Sequence, residues 1–167
     1  MRLLVVCALL MGLVVPGTLA IAQDSESQLQ TAYCNFADGA QISVRYDASG
    51  KSKEEPKNGK VWEPGGSPMT LYTQAAVVLK GVEIPVGAFS VYAIPNKKEW
   101  TLVVNKNVTA GSKYDEAQDL VRVPMELGDL SSPVKPLQVV LAHMAPKTCT
   151  IRLYYGNVGA QADLTEK

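Results

Sequence analysis

The chain has 167 residues, 47% hydrophobic and 19% charged, with 16 basic and 16 acidic side chains. That balance supplies no basic field for nucleic acid or an anionic membrane surface. The composition is globular rather than disordered, and the length fits one domain.

The first element is a leader. Met1-Arg2 gives a basic start, Leu3 to Val15 is almost unbroken apolar sequence, and Pro16-Gly17 stops it. Ala20-Ile21-Ala22 then precedes the polar Gln23. This is the layout of a secretory signal peptide over residues 1–22, and its apolar run is shorter than the roughly 20 residues that span a bilayer. The expected product is exported, periplasmic or extracellular, with no membrane insertion after signal removal. Cys7 leaves with the signal, and Cys34 and Cys149 remain. An even pair in an exported chain is a disulfide candidate. Because the two are separated by most of the chain, loop entropy values the bridge at roughly 4–5 kcal/mol. Two buried free thiols are the alternative.

Residues 23–30 are polar and read as a flexible lead-in to a domain over 31–163, with 164–167 as a tail. Tyr33 to Phe36 and Ile42 to Tyr46 form a strand pair turned at Asp38-Gly39, a standard hairpin signal. Residues 47–59 carry lysines, glutamates, Gly and Pro without a large apolar side chain, as a solvated loop does. Lys60 to Pro68 is rich in turn residues yet holds Trp62. Met69 to Gln74 and Ala76 to Leu79 are strand material. From Val77 to Lys106 four short apolar runs are stopped at Lys80-Gly81, Pro85-Val86-Gly87 and Pro95 to Lys98, the pattern of antiparallel hairpins. Ser112 to Asp119 predicts one helical turn, with Ser112 and Asp115 in capping-box spacing. Strands resume at Leu120–Val123, Leu137–Met144, Thr148–Tyr155 and Val158–Ala162. Alternation puts Cys34 and Cys149 on apolar faces. The fold class expected is all-β, a single antiparallel β-sandwich or flattened barrel with at most one short helical turn.

Gly59-Lys60-Val61-Trp62, Ile84-Pro85-Val86-Gly87, Ser90-Val91-Tyr92-Ala93-Ile94-Pro95, Glu99-Trp100-Thr101, Tyr114-Asp115 and Asp119 with Arg122-Val123 occur in order. Together they resemble the bacterial family catalogued as domain of unknown function 2911, over roughly residues 31 to 155. The resemblance implies an exported β-domain; the family has no established function. This chain departs from its pattern after the tryptophan, where Glu63-Pro64-Gly65-Gly66-Ser67 replaces an Arg-x-Gly-Ala-Asn segment.

The chemistry-bearing residues are few. His143 is the single histidine and continues the apolar parity of its strand. With both remaining cysteines assigned to a bridge, no zinc set is assembled, so no metal and no cofactor are expected. A Ser-His-Asp set would depend on His143, and no nucleophile elbow exists; no catalytic residue is named. Asn107-Val108-Thr109 is read as a loop. Aromatics are the remaining lead: Trp62, Tyr72 and Tyr92, with Lys60 beside them, are the expected ligand-binding set, suited to a sugar or peptide. The competing reading has Trp62 plugging the sandwich end and the tyrosines covering its faces. The function expected is a non-catalytic binding or scaffolding module of the bacterial envelope, its partner a glycan, peptide or envelope protein. A hydrolase acting on envelope polysaccharide or peptide, and a purely structural subunit, are the alternatives.

Overall fold

The computed structural model describes residues 29–49, 55–63 and 66–167. The expected leader, residues 23–28 of the expected lead-in, residues 50–54 of the polar loop, and Pro64-Gly65 lie outside the described residues.

The described chain is a single antiparallel sheet of nine strands that turns over on itself without closing. In chain order they are β1 (Leu29–Asn35), β2 (Gln41–Asp47), β3 (Met69–Thr73), β4 (Val77–Leu79), β5 (Val82–Ile84), β6 (Gly87–Ile94), β7 (Trp100–Asn105), β8 (Asp119–Ala145) and β9 (Thr148–Glu166). The order across the sheet is β1-β2-β3-β6-β7-β8-β9-β4-β5. β8 belongs to both halves, because its first residues pair with β7 and its pairing from Glu126 onward is with β9. The core lies between the halves. Val44, Leu71, Val91 and Leu102 face it from one side, and Ile151 and Leu153 from the other.

Hairpin turns fall where glycine permits them. Lys80 and Gly81 both take positive φ, +48° and +88°, the pair of left-handed conformations that a tight two-residue hairpin turn requires. Boundaries differ from expectation at both ends. Leu29 and Gln30 already pair with Asp47 and Tyr46. The expected tail is strand too: Leu164 is buried and Glu166 pairs with Val77. The separate late strands are continuous, joined into β8 and β9. The helical turn is a 3-10 turn at Glu116–Gln118, capped not by Ser112 but by Asp115, whose carboxylate accepts from the Ala117 N–H at 3.0 Å.

Cys34 of β1 and Cys149 of β9 form a disulfide with Cα atoms 6.3 Å apart. It fastens the first strand to the last one across the fold. Two neighbouring contacts fasten the same corner: the Ala37 N–H donates to the Pro146 carbonyl at 2.8 Å, and His143 Nδ1 lies 2.8 Å from the Asn35 carbonyl.

Candidate functional site

Strand alternation gives the first half of the sheet an outer face. With Cys34, Ile42, Leu71 and Phe89 turned inward, Tyr33, Ser43, Tyr72 and Ala88 turn outward, and pairing places them in one row across β1, β2, β3 and β6. Tyr33 is 64% exposed and Tyr72 42%. The next outward row runs Thr31, Arg45, Thr70, Ser90 and Asn105.

Further along, the outer face is covered. A register shift between Val104 and Asn105, of the kind a β-bulge produces, puts Asn105 beside Asp119. Asn105 is 1% exposed. Its Nδ2 donates to the Asp115 carbonyl at 2.8 Å and to Asp119 Oδ1 at 2.7 Å, while its Oδ1 accepts from the Asn107 N–H at 2.8 Å. Asp119 Oδ2 accepts from the Tyr114 hydroxyl at 2.6 Å and from Arg122 Nε at 2.5 Å. Arg122 also donates to the Tyr114 oxygen and pairs with Glu116 at 3.2 Å. The Ser90 hydroxyl donates to the Asn107 carbonyl at 2.7 Å. The contacts from Ser90, Asn105, Asp119 and Arg122 to Asn107, Tyr114, Asp115 and Glu116 hold the loop of residues 106–118 down on the sheet, with the Tyr114 ring edge-on to Tyr92 at 4.9 Å.

Burial, reinforced by the Asp119 carboxylate, raises the Tyr114 pKa from 10.0 to about 12. A raised folded pKa favours the protonated, folded form. The contribution is therefore complete below pH 10 and is lost as pH climbs from 10 through 12. Asp119→Ala should cost about 2–3 kcal/mol, since it removes charge-assisted bonds and strands a buried amide. Tyr114→Phe should cost about 1 kcal/mol and blunt the alkaline loss. Urea denaturation at pH 7 and at pH 11 measures both, and an Asp119→Ala midpoint equal to wild type would rule out this clasp.

Two open grooves flank the covered region. One, of about 220 Å³, is lined by Arg45, Thr70, Tyr72 and Ser90 on the strands and by Val108 and Gly111 of the loop. The other, of about 350 Å³, lies among Glu63, Gly66, Ser112, Lys113 and Tyr114. Ser67, Pro68 and Gly111 border both. Glu63, Gly66, Ser67 and Pro68, from the turn-rich segment after Trp62, therefore wall the site.

The expected set of Lys60, Trp62, Tyr72 and Tyr92 is not one surface. Tyr72 stands in the first groove and Lys60 is exposed. Trp62 is 3% exposed; its N–H donates to the Ala93 carbonyl, and its ring meets Trp100 at 5.7 Å and Tyr155 at 4.7 Å. Tyr92, at 1% exposed, does leave the inner core as alternation required, but Tyr114 covers it. Neither ring offers a face to a ligand. Sequence reasoning missed Tyr33 and Arg45. Their outward parity was readable; their alignment with Tyr72 and Thr70 came only with the strand register. Among the described residues, Cys34, His143 and Cys149 are a group of metal-capable side chains whose ligand atoms lie within 4.8 Å of one another.

A family model described as "Protein of unknown function (DUF2911)" matches residues 27–164. No curated protein and no solved structure matches the chain.

Proposed function

The chain belongs to the DUF2911 family, and we propose that it is an exported, non-catalytic binding module that holds a glycan of the bacterial envelope on the outer face of its sheet. The carrying observation is the row of Tyr33, Ser43 and Tyr72 beside the Arg45 groove. The two exposed tyrosines stand on strands two apart, about 10 Å by strand spacing. That suits two sugar rings, each stacked on an aromatic face. Arg45, Thr70 and the loop backbone supply polar groups alongside. Export is supported by the leader-like N-terminus and by the Cys34–Cys149 bridge, which an oxidising compartment maintains. Among the described residues no helix is long and apolar enough to cross a membrane.

A glycan array followed by calorimetry tests this. Tyr72→Ala should weaken binding about tenfold, as aromatic anchors do, and Tyr33→Ala should weaken it as well, both with unchanged circular dichroism. An array without binders, or binding indifferent to both substitutions, overturns the glycan reading.

A further inference from the structure

The bridge corner carries chemistry independent of the glycan surface. Cys149 and His143 are cross-strand partners in the β8–β9 pairing, and Cys34 reaches the same point from β1. Both sulfurs and a ring nitrogen of His143 lie within 4.8 Å of one another. His143 Nδ1 sits 2.8 Å from the Asn35 carbonyl. A carbonyl oxygen can only accept, so Nδ1 is the protonated nitrogen and Nε2 keeps its lone pair. Metal-binding histidines are oriented in this way, one ring nitrogen donating to a carbonyl while the other ligates.

The geometry points to a redox-gated zinc site: when the bridge is reduced, Cys34, Cys149 and His143 bind one Zn2+. Zinc takes thiolate sulfur at about 2.3 Å and imidazole nitrogen at about 2.0–2.1 Å, so tetrahedral donors sit about 3.5–3.8 Å apart; once the bridge is reduced its two sulfurs part to that distance, and the ring nitrogen already lies within 4.8 Å of them. The fourth position is open to water, because His143 is exposed at the corner. Bridge and metal exclude each other, since the disulfide sulfurs carry no thiolate charge. A dithiol reductant passes two electrons and two protons to the bridge and itself becomes a disulfide. Zinc then displaces both thiol protons and binds two thiolates.

The test uses the protein reduced with a phosphine under anaerobic conditions, titrated with Zn2+ against a chromophoric chelator, with Co2+ as the spectroscopic probe. The reduced protein should take up one equivalent, show sulfur-to-cobalt charge transfer, and gain in denaturation midpoint as zinc is added. The oxidised protein should do none of these. His143→Ala, at an exposed position, should fold and bind about 10–100-fold more weakly. A reduced chain that takes up no zinc, folded or not, overturns the site, as does His143→Ala binding as tightly as wild type.

Discussion

Trp62→Ala should lower the unfolding free energy by about 3–5 kcal/mol, the usual loss when a buried large aromatic is cut back to a methyl group. Its indole is closed in by Trp100 and Tyr155, and its segment joins the sheet through an isolated bridge to Ala93 of β6. Cutting it back would leave a cavity against both rings and free the segment that walls the grooves. The urea midpoint should fall with little change in slope, and Trp62→Phe should recover part of the loss. A ligand contact would behave the other way: stability kept, binding lost. A Trp62→Ala protein within about 1 kcal/mol of wild type would therefore remove Trp62 from the core and restore it to the binding set.

Much of the fold was legible because short-range chemistry determines it. Asp38-Gly39 and Lys80-Gly81 turn hairpins with the φ values glycine allows, and period-two alternation sent Cys34 and Cys149 inward before any strand order was known. The length of β8 was not legible. Pro133 and Pro136 lie between the expected strands Leu120–Val123 and Leu137–Met144, and a proline cannot donate to a ladder. The strand survives because its register slips between Asp129 and Val134 and again between Val134 and Gln138, which leaves those positions out of the pairing. Leu164 and Glu166 read as a tail because a few terminal residues carry little periodicity; Val77, the partner of Glu166, lies far back in the chain.

The site was harder, for a physical reason. Tyr92 is opposite in parity to Phe89, Val91 and Ala93 and so leaves the inner core, but whether its face is wet depends on a loop that begins more than ten residues later. The polar residues Asn105, Tyr114, Asp119 and Arg122 look like surface chemistry in one dimension. In space they satisfy one another and clamp the loop over Tyr92. The motif that carried the family resemblance is thus, in good part, a clasp. The exposed tyrosines that remain are those the clasp leaves uncovered.

Replacing both Cys34 and Cys149 by alanine should cost about 2–5 kcal/mol, towards the upper end because the bridge spans 115 positions. The effect should act mainly through the unfolded chain, which loses its long closed loop. The native corner keeps the Ala37–Pro146 hydrogen bond and the His143 contact to Asn35, so far-ultraviolet dichroism should not change. The denaturant slope should rise, because the unbridged chain exposes more surface on unfolding. Reduction of the wild-type protein without metal should reproduce the same shift. A double variant that unfolds at the wild-type midpoint would mean that the corner contacts, rather than the covalent link, hold the two halves together.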